Sequence, residues 1–269
     1  MYSNTTLHII PRLGLCNRLR AIASGVEVGR RLGARTVVHW NRVDNFYARF
    51  GELFEPVTVE GVQVEEVRGL LNAIPKRHNA FLPKLLQWVR YDQVIYLHSH
   101  DKDVPLLPRI RPVRHVLVVS AYSVGPHYSM THLFRPIALL REQVETCTAR
   151  FGARTIGLHI RGTDHPLSRA HSTVDKFIGR IDAEIATDPE VTFFLATDET
   201  SARQTLVDRY GQRIIWRENV LNRTSVEGIQ DAVVDLFCLC RTSQIVGSYG
   251  SSFSEIAAEL GGIPLDICM

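Results

Sequence analysis

Apolar positions along the chain follow two periods. Short β-branched and aliphatic runs at residues 7–10, 36–40, 115–120, 155–160, 191–196, 213–216, 244–246 and 263–267 predict strands. Between them, apolar residues recur every three or four positions. Leu19, Ile22, Ala23, Val26 and Leu32 mark a first helix that Gly33 closes, and Leu139, Leu140, Val144 and Cys147 lie on one face of a long helix over 133–151. Further helices are predicted over 175–185, 201–210, 225–240 and 254–260. The stretch from 41 to 114 is less regular, with short strands at 57–59 and 94–97 and a helix over 82–89. Strands that alternate with helices of this length imply parallel sheets covered on both faces, an α/β fold in two Rossmann-like halves dividing near Arg150. The expected domains are therefore 1–150 and 151–269.

Composition narrows the function. With 45% hydrophobic and 22% charged residues, the 269-residue chain can build two cores and is not a disordered or fibrous sequence. The formal charge of +3 gives no face for a polyanion, so no nucleic-acid partner is expected. The longest apolar runs, 116–121 and 191–196, fall far short of the roughly 20 residues that span a bilayer, and no membrane span is predicted. The first ten residues lack a basic start and an apolar segment, so the expected location is cytoplasmic. Five cysteines without a C-x-x-C pair predict reduced, mostly buried thiols and neither a disulfide framework nor a zinc site.

Three strand-to-helix junctions carry the chemistry. Ligands of open parallel sheets bind beyond the carboxyl ends of the strands. The strand that starts at Thr155 ends in His159-Ile160-Arg161-Gly162-Thr163-Asp164, where a permanently cationic fork suits phosphate oxygens. The same residues also read as a surface ion pair of Arg161 with Asp164 beside a packed histidine. Gly247-Ser248-Tyr249-Gly250-Ser251-Ser252-Phe253-Ser254 joins a strand to a helix start, and is either an anion cradle or a serine-capped helix. Gly14-Leu15-Cys16-Asn17-Arg18-Leu19-Arg20 is a similar junction in the first half, or a plain helix start with solvated arginines. It fits neither the dinucleotide fingerprint nor the P-loop pattern. Asp101-Lys102-Asp103 has a D-x-D form but reads as a charged turn, and the histidines show no metal-ligand spacing. The basic and aromatic mix over 76–100 could meet an acceptor or simply cover a half-buried surface.

Taken in order, these junctions resemble the fucosyltransferase superfamily that includes the nodulation α-1,6-fucosyltransferases and the protein O-fucosyltransferases. The resemblance rests on the Gly14 to Arg20 junction, on His159, Arg161 and Asp164 as H-x-R-x-x-D, and on Asp235 followed by Ser251-Ser252-Phe253. It implies a GT-B architecture, two Rossmann-like halves with mainly parallel sheets facing a cleft, the first on the acceptor side and the second binding the donor. It further implies that Arg161 contacts the β-phosphate of GDP-fucose with His159 beside it, and that Asp164 fixes the arginine loop. Asp235 would accept hydrogen bonds from the guanine edge, Ser251, Ser252 and Phe253 would hold the diphosphate, and Asn17 would reach the donor from the other half. Cys16 stands where relatives often carry glycine, so a backbone needing positive φ there would be strained.

The activity so implied is an inverting, metal-independent transfer of fucose or a related sugar from a GDP-sugar to a glycan or other hydroxyl acceptor. GDP-fucose enters as the donor substrate, with no cofactor. The alternative is a non-catalytic nucleotide-sugar or glycan-binding module of the same fold. A phosphate-ester hydrolase would need a positioned nucleophile and acid, and the sequence offers no such ordered pair.

Overall fold

The computed structural model describes residues 2, 4–44, 46–74, 81–98, 105–162, 170–220 and 222–269. They form two compact units, Met1–Ile137 with Asn222–Ile229, and Ala138–Leu221 with Gln230–Met269. The helix ahead of Arg150 thus groups with the second unit.

In the first unit, β1 (Thr6–Pro11), β2 (Arg35–Trp40), β3 (Val62–Glu66), β4 (Gln93–Tyr96) and β5 (His115–Ser120) form a parallel sheet in the order β3-β2-β1-β5-β4. The strand expected over 57–59 does not form; pairing starts at Val62, where residues alternate against β2. α1 (Leu15–Leu32) follows β1 and ends, as expected, on Gly33 with φ 65°. Leu7 and Ile9 of β1 pack with Val28 of α1 on one face of the sheet. Ile10, Leu117 and Val119 pack with Tyr91 on the other, which α2 (Phe81–Arg90) adjoins. Burying each such side chain contributes about 2 kcal/mol.

That second face also carries three histidines. His8 Nδ1 lies 2.9 Å from His39 Nε2, and His8 Nε2 lies 3.2 Å from His115 Nδ1. Tyr91 donates to Asn72 Oδ1, which turns the Asn72 amide nitrogen toward His39 Nδ1 at 3.1 Å. Each neutral imidazole has one donor and one acceptor. The order therefore runs one way, Asn72 to His39 to His8 to His115. Glu65 Oε2, at 3.6 Å from His39 Nδ1, is beyond hydrogen-bond range. Burial lowers the His8 pKa to about 3, aided by His39, His115, Arg90 and Arg35, and burial lowers that of His39 to about 4.

α3 (Met130–Leu133) belongs to the first unit and α4 (Ala138–Thr148) to the second. One continuous helix over 133–151 was the expectation, and the structure corrects it. Pro136 cannot donate to a helical ladder and disfavours helix in the residue before it; it forms an isolated bridge with Phe54 instead. β6 (Thr155–Ile160), α5 (Val174–Thr187), β7 (Thr192–Thr197), α6 (Thr200–Tyr210), β8 (Ile214–Ile215), α7 (Val226–Leu239), β9 (Gln244–Ser248), α8 (Ser252–Gly261) and β10 (Leu265–Cys268) complete the chain. The second sheet is also parallel, in the order β10-β9-β6-β7-β8. Its first strand, β6, lies between β7 and β9, so the winding reverses there. The crevice beyond the carboxyl ends of β6 and β9 is the place such sheets bind ligands. All five cysteines are free, and Cys16, Cys147, Cys238 and Cys268 are buried. Among the described residues no helix is long and apolar enough to cross a membrane.

Candidate functional site

The reversal point of the second sheet gathers most of the residues expected there. Arg161 is the first residue after β6, and Ser251, Ser252 and Phe253 lie at the start of α8, after β9. Two crossed hydrogen bonds tie the strand ends together. The Arg161 N–H donates to Ser248 Oγ at 3.0 Å, and Ser248 Oγ donates to the His159 carbonyl at 3.2 Å. Gly162 N–H donates to Asp198 Oδ1 at 2.8 Å, which anchors the loop to the end of β7. The close approach requires glycine: a Cβ on Gly162 would sit 1.8 Å from Glu199 Oε2 and 2.8 Å from Glu199 Cβ.

His159 is a buried member of this cluster. Its Nδ1 is 2.8 Å from Ser254 Oγ and 3.4 Å from Ser251 Oγ, and its ring stacks on Phe253 with centroids 4.8 Å apart. Burial lowers its pKa to about 4; Asp198 opposes that and Arg161 adds to it, so the ring is neutral at pH 7. Ser251 occupies the N-cap position of α8, yet its side chain makes no capping bond. Its hydroxyl faces His159 instead. The serine-capped reading is thus not what the structure shows. A helix start carries partial positive charge, and with hydroxyls beside it is the kind of place where anions bind. Asp164 lies outside the described residues, as do Asp101 and Asp103.

Asp235 sits elsewhere in the same unit, on α7, and only 7% of its surface is exposed. Its Oδ1 accepts from Arg217 Nη1 at 2.9 Å and its Oδ2 from Asn219 Nδ2 at 2.8 Å. Arg217 Nη2 also donates to Asp231 at 3.1 Å and to Gln143 at 3.2 Å. Burial pushes the Asp235 carboxyl up, against the opposing pull of Arg217 and Asn219. Each carboxylate oxygen keeps a second lone pair, and the nearby Asn219 Oδ1 is buried with no hydrogen-bond partner among the described residues. Sequence reasoning missed Arg217 and Asn219, and named Ser248 and Ser254 only as part of the serine-rich junction. The signal for the first two was available, since Trp216-Arg217-Glu218-Asn219 directly follows β8. A groove of about 560 Å³ runs along α4 and takes in Gln143, Cys147, Arg150 and Arg217; neither Arg161 nor the Ser251 turn lines it.

In the first unit Asn17 lies in the first turn of α1, where its Oδ1 accepts from Arg20 Nη2 at 2.5 Å. Arg18 is not solvated but fully buried, against one of the two readings of this junction. It donates to the Leu13 and Asn41 carbonyls at 2.9 Å each and stacks under Phe46, 4.2 Å from the ring centroid. Burial lowers its pKa to about 9. The strain expected at Cys16 is absent, because Cys16 lies within α1. The positive φ falls on Leu13, at 64°, and the Arg18 bond to its carbonyl holds that turn. Among the described residues no cluster of three or more His, Cys, Asp or Glu side chains could hold a metal ion.

Two parallel five-stranded sheets with covering helices match the fold of solved fucosyltransferases. Three solved structures make the likeness specific. NodZ α-1,6-fucosyltransferase soaked with GDP-fucose superimposes with a TM-score of 0.66 at 15% identity, covering 95% of this chain and 92% of NodZ. POFUT1 in complex with GDP matches at 0.61 and 12% identity, covering 98% of both chains. A variant of Arabidopsis thaliana FUT1 in complex with GDP matches at 0.66 and 15% identity, covering 98% of this chain and 70% of FUT1. The sequence matches no family model and no curated protein.

Proposed function

We propose that the protein is an inverting, metal-independent glycosyltransferase that transfers fucose, or a related sugar, from a GDP-sugar to a glycan or other hydroxyl acceptor. The observation that carries this reading is the β6–β9 reversal point, where Arg161, the Ser251 turn and the start of α8 share one crevice edge. The GDP and GDP-fucose in the NodZ and POFUT1 structures support the choice of donor. The second unit then binds the donor and the first the acceptor.

In this reading the diphosphate lies against Arg161, the Ser251 and Ser252 hydroxyls and the first N–H groups of α8. As the glycosidic bond breaks, negative charge grows on the departing GDP. A fixed cation and helix start stabilise that charge more than they stabilise the bound donor, which lowers the barrier. His159, neutral and clamped between Ser254 and Phe253, orients the turn without competing as a second cation. Asp235 and Asn219 supply acceptor atoms for the N–H edge of guanine. No metal enters, because Arg161 and the helix start neutralise the phosphates.

The test is a transfer assay with radiolabelled GDP-fucose and a panel of glycan acceptors, in EDTA, for the wild type and Arg161→Ala. Labelled product from the wild type and none from the variant is expected. Tight GDP binding with no turnover on any acceptor would move the protein to the binding-module reading.

A further inference from the structure

α2 is amphipathic in the wrong sense for a helix that only covers a sheet. Its polar Gln87 is fully buried and bonds to the Ala73 carbonyl and to Tyr96, whereas Leu82, Leu85, Leu86 and Val89 face solvent. Those four recur at i, i+3, i+4 and i+7, a single stripe down the helix. The stripe is far from marginal: Val89 is 82% exposed, Leu82 45%, and Trp88 at its flank 60%. Monomeric proteins rarely leave such a contiguous apolar face uncovered.

The charges around the stripe say what covers it. Arg90 closes the exposed end of the helix, and Arg111 donates to the Asp92 carbonyl just beyond it. By chain position Lys76 and Arg77 precede the helix, and the sequence from 76 to 90 holds no acidic residue. The nearest, Asp92, accepts the His115 N–H. A second copy of this face would set like charges against each other. An anionic lipid surface supplies both an apolar layer for the leucines and negative headgroups for the basic rim, with tryptophan at the boundary.

We propose that α2 is a membrane-docking helix that lies in the headgroup region of an anionic bilayer, its Leu82, Leu85, Leu86 and Val89 stripe inserted and Arg90 on the phosphates. The proposal does not depend on the fucosyl-transfer reading. It brings the first unit to a bilayer through a helix that lies in the interface.

Co-sedimentation of the whole protein with vesicles tests it, using phosphatidylcholine alone and an equal mixture of phosphatidylcholine and phosphatidylglycerol. Binding to the mixed vesicles at least tenfold stronger than to phosphatidylcholine is expected, weakened by salt. The double variant Leu85→Gln with Leu86→Gln should lose about tenfold or more, while circular dichroism stays that of the wild type because both side chains are exposed. Arg90→Glu should lose the preference for mixed vesicles. Three results would overturn the proposal: no binding to either vesicle, binding unchanged in the leucine variant, or a dimer in lipid-free solution that the leucine variant breaks.

Discussion

The one-way histidine chain of the first unit makes the protein acid-labile in a specific pH window. In the neutral chain every donor meets an acceptor from Asn72 through His39 and His8 to His115. A proton added to His8 or His39 sets one N–H against another, in a buried place beside Arg35 and Arg90. Folded pKa values of about 3 and about 4 lie below the ordinary 6.5, so the folded state binds fewer protons than the unfolded one. The stability this confers is complete above 6.5 and drains away as the pH falls toward the folded values. At about pH 5 each group costs about 2 kcal/mol, or about 4 kcal/mol for the pair. That is a large part of the roughly 5–15 kcal/mol that holds a domain together. Hydrogen exchange read peptide by peptide separates this effect from that of His159 in the second unit. Corrected for intrinsic rates, protection of β1 and β2 should drop about a thousandfold between about pH 7.5 and 5. With His8→Gln the drop should shrink to about thirtyfold, even though the variant starts less stable. Protection that is flat over this range, or equally steep in His8→Gln, would refute the reasoning.

Three other substitutions follow from the geometry. Gly162→Ala drives a Cβ into Glu199 and should cost about 1–3 kcal/mol by thermal melting, and weaken GDP binding, since the Arg161 loop must shift. Asp235→Ala leaves Arg217 short of a buried partner and should destabilise the second unit by about 3–5 kcal/mol in urea unfolding, whereas Asp182→Ala, which breaks an exposed pair, should leave the midpoint nearly unchanged. Leu13→Gly relieves a left-handed leucine and should raise the melting temperature slightly, by about 0.5 kcal/mol of added stability, where glycine at an ordinary loop position lowers it.

The second unit was legible because its signals are local. A parallel strand buried on both faces is a short apolar run, and 155–160 was placed to the residue as β6. The strand ends then named Arg161 and Ser251 to Phe253 as neighbours, since the winding rule ties function to those ends. The misses have nonlocal causes. Pro136 interrupts a stretch whose apolar spacing alone reads as one helix. His8, His39 and His115 stand far apart in sequence and meet only through strand register. The burial of Arg18 depends on Trp40 at the end of β2 and Phe46 in the loop after it, more than twenty residues away in sequence. Asp235 was found by resemblance, but its partners Arg217 and Asn219 lie on the short loop after β8, a strand end that the sequence reading passed over. The inverted exposure of α2 was hidden too, because periodicity shows a stripe and not the side on which the sheet lies.

The central claim is that the β6–β9 crevice binds a guanine nucleotide diphosphate through Arg161. Calorimetric titration of GDP, GDP-fucose and UDP into the wild type and Arg161→Ala, with EDTA throughout, tests it most directly. The account predicts micromolar binding of GDP and GDP-fucose, much weaker binding of UDP, and about a tenfold or greater loss in the variant. Failure of the wild type to bind any of the three nucleotides, or equal GDP affinity in Arg161→Ala, would contradict it.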